Sequence, residues 1–140
     1  MTPPERGLEL QGLVIQRLAA ALATAGVSPA GSAVPVSDHI PHIQGNQPRH
    51  HVRVDEFQYR QVSDARRKRW RHRFTVHVFE RQMDGRSQAA RLHALVFAAL
   101  DDWEPHGSAT ALEVFEGYSA GADEAHAQHE ILKFETIIGE

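Results

Sequence analysis

The fold is decided by one alternating stretch, Trp70-Arg71-His72-Arg73-Phe74-Thr75-Val76-His77-Val78-Phe79. Its even-numbered side chains are mainly apolar, whereas most of the odd-numbered ones are basic or polar. Successive side chains of a strand point to opposite faces, so this pattern predicts a β-strand with one face in a hydrophobic core. Such a strand needs neighbouring strands to pair with and a layer that covers its apolar face. Both are expected in the sequence on either side of it.

A second strand is predicted directly before the first, over His51–Val62. Its alternation is weaker and indicates a β-bulge near Asp55-Glu56. The connection Ser63–Arg69 is short, polar and basic. We therefore expect the two strands to form a β-hairpin with a basic tip.

Two amphipathic helices are expected to cover the sheet. The first spans Glu5–Ala25, where apolar residues recur at spacings of three and four, and Gly26 follows at the position of a C-cap. The second has Ser87 as its N-cap and runs to about Asp102. Each helix presents one apolar stripe, as expected for a helix that packs on a sheet.

The remaining segments predict the edges and the centre of the sheet. Val27–Pro48 contains four prolines, which exclude a long element but allow a short extended piece over Val34–Ile40. The last two strands are predicted at Ala111–Tyr118 and Glu130–Ile138, joined by the polar loop Ser119–Gln128. The final strand is apolar on both faces, which predicts a central position.

These elements predict an α+β fold in a single domain that spans residues 1–140. The order is helix, extended segment, strand, strand, helix, strand, strand. We expect a largely antiparallel sheet of about four to five strands with two helices packed on it.

Composition argues against several classes of function. The absence of cysteine excludes disulfides, thiol catalysis and cysteine-ligated metals. The N-terminus lacks the apolar core of a secretory signal, and no stretch approaches the roughly 18 apolar residues that span a bilayer. Neither a G-x-S-x-G elbow nor a glycine-rich phosphate loop occurs. We expect a protein made in the cytosol that has no catalytic activity, no cofactor and no membrane partner.

Ten histidines raise the question of a metal site. His50 and His51 are adjacent on a predicted strand and would point to opposite faces. His126 and His129 fall at a loop-to-strand junction, where a shared ion is geometrically feasible, but no third ligand can be named. The sequence therefore predicts no metal ion.

Charge is divided between two parts of the chain. Residues Arg49–Arg91 contain twelve Lys/Arg against five Asp/Glu, a balance of +7. Residues Asp101–Glu140 contain one lysine against ten Asp/Glu, a balance of −9. Such a division favours either an acidic partner for the basic part or contacts between unlike surfaces of neighbouring copies.

The basic run Arg66–Arg73 is the strongest local signal, and it has two interpretations. As a nucleic-acid site, it would contact phosphates and offer Trp70 for stacking on a base. As a protein contact, its arginines would reach a neighbouring acidic surface. Trp70 has the parity of the core side chains, and no nucleic-acid-binding motif is present, so the protein contact is favoured.

Four blocks of the chain together resemble one family. The strand and its continuation, His72–Arg81, are followed by Gly85-Arg86-Ser87-Gln88-Ala89 and an alanine-rich helix. Val36–Pro41 is similar to the family's early extended motif, and His129–Phe134 is similar to its closing strand. The chain resembles, over nearly its whole length, the tail-completion family of phages and gene transfer agents, which includes tail terminators.

That resemblance implies a structural role in a virion. Lambda-type tail terminators are α+β subunits that form a ring, commonly of six. The ring caps the head-proximal end of the tail tube, stops its polymerisation and offers a surface to the neck. The implied partners are other copies of the chain, the tail tube protein and a neck or head-completion protein, with DNA passing through the ring. The implied location is the neck–tail junction.

The predicted contact residues combine the basic run with acidic residues from the second half of the chain. They are Arg66, Arg67, Lys68, Arg69, Arg71, Glu113, Glu116, Asp123 and Glu124. Two alternatives remain, namely a nucleic-acid-binding module that uses the same basic run and a head-side neck adaptor with a ring of another symmetry.

Overall fold

A computed structural model of the chain describes residues 1–26, 34–38, 50–62, 68–80, 87–122 and 128–139. Within them, two helices and five strands follow one another along the chain. They are α1 (Pro3–Ala25), β1 (Val36–Ser37), β2 (His50–Val62), β3 (Arg69–Glu80), α2 (Ser87–Leu100), β4 (Glu113–Ala122) and β5 (Gln128–Gly139).

The five strands form one mixed sheet in the order β1-β2-β3-β5-β4. β2 and β3 are an antiparallel pair with a bulge between Asp55 and Gln58, and β5 pairs antiparallel with both β3 and β4. This arrangement confirms the predicted α+β class, the hairpin and the central position of the last strand. The predicted extended piece contributes β1, which pairs parallel to β2 through Val36 and Ser37.

Local signals define the ends of the helices. Thr2 caps α1, since its hydroxyl accepts from the Glu5 amide at 3.4 Å and its own amide donates to the Glu5 carboxylate at 2.6 Å. The helix therefore begins at Pro3, two residues earlier than predicted. Gly26 ends it with φ 62°, a left-handed conformation that glycine adopts without steric cost. α2 ends at Leu100 rather than Asp102, because Asp102 has φ 64° and is outside the helical region.

Both helices pack on one face of the sheet, which we call the inner face. Phe74 of β3 is at its centre, with ring centroids 5.1 Å from Phe57 and 5.5 Å from Phe134. The helices contribute buried side chains at the predicted spacings: Leu10, Val14, Leu18 and Leu22 from α1, and Leu92, Val96 and Leu100 from α2. The helices are also tied to each other, because Arg17 donates to the Ala99 carbonyl at 2.9 Å.

The beginning of β4 depends on the segment after α2. Asp102 donates its amide to the Leu112 carbonyl, and Leu112 donates to the Trp103 carbonyl, both at 2.8 Å. This exchange places the strand start at Glu113, two residues later than predicted.

None of the described helices is long and apolar enough to cross a membrane.

Candidate interaction surface

The outer face of the sheet, opposite the helices, carries most of the charged strand residues. It is formed by alternate side chains of β2, β3, β4 and β5. These include His51, Arg53, Asp55, Gln58, Arg60, Arg69, Arg71, Arg73, Thr75, His77, Phe79, Glu113, Phe115, Glu116, Tyr118, His129, Ile131, Lys133, Glu135 and Ile137.

Three arginines converge at the end of the β2–β3 hairpin that holds its tip. Arg60 is directly opposite Arg71, and Arg73 follows two residues after Arg71 on the same face. With Gln58 and Tyr59 they line a depression of about 390 Å³. Like charges directly opposite on paired strands destabilise a sheet, so this arrangement favours a role outside the isolated subunit. We call Arg60, Arg71 and Arg73 the arginine cluster.

Among the described residues, Glu135 of β5 supplies a carboxylate that neutralises part of the arginine cluster. Arg73 donates from Nε to its Oε2 at 2.9 Å, and Arg71 Nε lies 3.8 Å from the same oxygen. In the described part of the chain, no carboxylate forms an ion pair with Arg60. The cluster therefore retains positive charge that a carboxylate of another molecule can meet.

Aromatic and acidic side chains continue the outer face toward β4. The Arg73 guanidinium is 4.6 Å from the ring centroid of Phe115, which is 41% exposed. Lys133 is 3.2 Å from Glu116 and 5.8 Å from the centroid of the exposed Tyr118. Arginine beside exposed aromatic rings is typical of protein–protein interfaces. The interspersed carboxylates would repel the phosphates of a nucleic acid.

The described contact residues lie at the start of the central strand β3 and on the edge strand β4. Lys68 and Arg69 are at the start of β3, and Arg71 belongs to the arginine cluster. Glu113 and Glu116 are exposed on β4, an edge strand two positions away from β3 in the sheet. The remaining four predicted residues, Arg66, Arg67, Asp123 and Glu124, are outside the described residues.

Sequence reasoning missed two members of this surface, Arg73 and Arg60, and the Glu135 carboxylate that pairs with Arg73. Arg73 was within the basic run, and the alternation of β3 already places it on the same face as Arg71. Arg60 could not be assigned to a face, because the bulge before it shifts the parity of β2. Glu135 had no local signal, since its role depends on the pairing of β5 with β3.

A second group on the outer face is made of imidazole and aromatic rings. Phe79 stacks between His51 and His129, with centroids 4.5 and 4.3 Å away. His77 Nδ1 is hydrogen-bonded to His129 Nε2 at 2.8 Å. Burial lowers the pKa of His77 below its ordinary value, although the nearby Asp55 and Glu56 carboxylates act in the opposite direction.

The inner face also holds buried polar groups. The His50 imidazole contacts the Glu80 carboxylate, and both residues are buried. His72 is packed beside Gly7 of α1 and is 1% exposed. Burial, with repulsion from Arg6 and His106, lowers the pKa of His72. These groups are enclosed between the helices and the sheet, which suits a structural role.

Two comparisons relate this chain to known proteins. The sequence family described as "Tail completion protein gp17" matches residues 13–139. A chain of the solved structure described as "Virion of native gene transfer agent (GTA) particle" is 21% identical and has a TM-score of 0.71. That match covers 93% of the present chain and 94% of the other, so the two share a fold. Among curated protein sequences, none matches.

Proposed function

The chain belongs to the tail completion protein gp17 family of structural, non-enzymatic virion proteins, and we propose that it completes the tail by forming a ring. The ring is placed at the head-proximal end of the tail tube, where it ends tube polymerisation and joins the tail to the neck. Its partners are other copies of this chain, the tail tube protein and a neck protein. The family match and the shared fold with a chain of a gene transfer agent virion support a role in tail completion within a virion, and the position on the tube is part of the proposal.

The observation that carries the proposal is the arginine cluster. Carboxylates of the same subunit neutralise only part of its positive charge. Arg60 faces Arg71 across the hairpin, and Glu135 is shared by Arg71 and Arg73. An unfavourable pair of like charges within a subunit indicates that these charges serve a contact with another molecule. In the proposed ring, a neighbouring copy supplies the missing carboxylates.

The complementary acidic residues lie at the other edge of the same sheet. Glu113 and Glu116 are on β4, three strand spacings from β2, which is about 14 Å. β1 pairs with β2 at Val52 and Arg53, so within the described residues the part of β2 that carries Arg60 has a strand partner on one side. Unlike patches, one that reaches β2 and one on β4, favour head-to-tail contacts, and such contacts form a ring when the rotation between copies closes. Charge complementarity would also set the register between copies.

A charge-reversal experiment tests this contact. The double variant Arg60→Glu/Arg71→Glu changes the arginine cluster, and the control Arg91→Glu changes an exposed arginine on α2. Each protein is examined by circular dichroism, sedimentation velocity and negative-stain electron microscopy, alone and with tubes of the tail tube protein. We expect pore-containing rings or capped tubes from the wild type and from Arg91→Glu, and neither from the folded double variant. Normal rings or caps from the double variant would reject the contact.

The nucleic-acid alternative is tested in the same preparations. Duplex and single-stranded DNA are titrated at about 100–150 mM salt, and phosphate-driven binding must weaken steeply as salt rises. The carboxylates of Glu116 and Glu135 on the outer face make such binding less favourable. Tight, salt-sensitive DNA binding that the double variant loses, without any ring, would replace the proposed function with this alternative.

A further inference from the structure

Three side chains converge at the bulge of β2, away from the arginine cluster. They are Asp55 and Glu56, at the bulge itself, and His77 on the neighbouring β3. Asp55 Oδ1, Glu56 Oε2 and His77 Nε2 all lie within 4.8 Å of one another. We propose that these three side chains form a binding site for a divalent transition-metal ion, with zinc as its representative.

The strongest observation is the state of the His77 imidazole. His77 is 5% exposed, and its Nε2 atom lies beside the two carboxylates. The nearest oxygen, Asp55 Oδ1, is 3.0 Å away and is also buried, so the two side chains form an ion pair when His77 is protonated. A divalent ion can take the place of that proton and be shared by the imidazole and both carboxylates, because metal ligands bind in their deprotonated forms.

The distances fit atoms arranged around a common ion. Two ligands of a tetrahedral zinc, each bonded at about 2.0–2.1 Å, are roughly 3.3 Å apart and point at the ion, not at each other. His77 Nε2 is 3.0 Å from Asp55 Oδ1 and 3.7 Å from Glu56 Oε2. These separations bracket the expected value.

The backbone brings two consecutive carboxylates to one side. On a regular strand, Asp55 and Glu56 would point to opposite faces. The bulge interrupts the pairing after Asp55, and Glu56 adopts φ 57°, a conformation that is unfavourable for any residue with a Cβ atom. Both carboxylates consequently face His77.

Neighbouring side chains orient the ligands in the way that protein metal sites require. His77 Nδ1 is hydrogen-bonded to His129 Nε2, which leaves Nε2 as the atom directed at the carboxylates. Arg53 Nε is 2.7 Å from Asp55 Oδ2, so the other oxygen, Oδ1, is the one left for an ion. With two carboxylates and one guanidinium, the local charge is negative before an ion binds.

The donor set indicates the class of ion. One imidazole nitrogen and two carboxylate oxygens suit zinc and its first-row neighbours better than magnesium or calcium, which prefer oxygen alone. Three protein ligands leave one coordination position of a tetrahedral ion for water. Glu56 is 59% exposed in its side chain, so an ion can enter from solvent. The sequence had suggested other histidines, and His129 is found as the outer partner of this site.

The test uses the purified full chain, stripped with a chelator and titrated with zinc chloride by calorimetry. The key variant is Glu56→Gln, because this exposed side chain can lose its charge without disturbing the core. Glu104→Gln, at an exposed position outside the strands, is the matched control. We expect one zinc ion per chain, binding weakened by about tenfold or more in Glu56→Gln, and unchanged binding in Glu104→Gln.

A second measurement locates the ion. The imidazole nitrogen signals of His77 should shift on zinc addition in NMR spectra of the wild type, and the melting temperature should rise. Failure of the wild type to bind at about a hundred micromolar zinc would overturn the proposal, as would equal binding by Glu56→Gln. This test is independent of ring formation, because it is carried out on the isolated chain.

Discussion

Arg73 donates a hydrogen bond from Nε to Oε2 of Glu135 at 2.9 Å, across the pairing of β3 with β5. This contact joins the basic and the acidic parts of the sequence inside one subunit. The division of charge along the chain is therefore not a division between two ends of the molecule, since both signs share the outer face. The charge that is not neutralised within the subunit is available to partners. It is positive at the arginine cluster and negative along β4.

Replacing Glu135 with Gln should destabilise the subunit in a salt-dependent manner. The change removes the shared carboxylate of Arg71 and Arg73 and leaves the arginines of the cluster to repel one another. Because these side chains are partly exposed, the expected loss is about 0.2–1 kcal/mol at low salt and less at high salt. Urea denaturation at about 50 and 500 mM salt measures it, with Glu104→Gln as the control. An increase in stability would contradict the assigned role of Glu135.

Phe74 should be a highly sensitive aromatic position of the core. Its ring lies between Phe57 and Phe134 and is 1% exposed. Phe74→Ala is expected to lower the free energy of unfolding by about 3–5 kcal/mol, because it removes buried surface and leaves a cavity. Phe97→Ala is the matched control, since Phe97 is 43% exposed on α2 and its loss should cost well under half as much. Similar losses for the two variants, measured by urea denaturation, would disprove this packing.

Stability should fall as the pH is lowered below about 6.5. Burial keeps the pKa of His72 below its ordinary value in the folded chain, so the unfolded chain takes up a proton that the folded chain resists. The contribution is complete above the unfolded pKa and is lost as the pH falls toward the folded one. The maximum slope is about 1.4 kcal/mol per pH unit.

The variant His72→Gln isolates this contribution. Its free energy of unfolding should depend less steeply on pH between about 6.5 and 5, whereas His77, whose pKa is also lowered, keeps part of the slope. Urea denaturation at several pH values measures the difference. Identical slopes in the wild type and His72→Gln would show that His72 titrates in the fold as it does in the unfolded chain.

The alternation of β3 was sufficient to predict the fold around it. Side chains of β3 alternate between two faces, and Phe74 and Val76 share the apolar one, so this face of the sheet must be covered. The apolar stripes of α1 and α2 provide that cover. The bulge near Asp55 was also visible, since alternation weakens there. β1 was predicted as an extended piece, but its parallel pairing depends on the contact of Val36 with Val52, which is remote in sequence.

The candidate site was less accessible to prediction for the same physical reason. Arg71 was identified because its charge is part of a continuous run. Glu135 and His129 owe their roles to strands that pair across more than fifty residues of sequence. Their local sequences carry no trace of the side chains opposite them.

Arg60 provides the sharpest test of the relation between stability and assembly. It faces Arg71 directly and forms no ion pair with the described carboxylates, so Arg60→Gln should relieve repulsion and stabilise the isolated subunit by about 0.2–0.5 kcal/mol. The same change should weaken ring formation, because it removes a charge that the proposed contact requires. Urea denaturation and sedimentation velocity measure the two effects on one sample. Arg91→Gln should change neither property, as it alters an exposed helix residue outside the cluster. A variant that is more stable and still assembles normally would show that Arg60 lies outside the contact, whereas a less stable one would show that the arginine pair is favourable within the subunit.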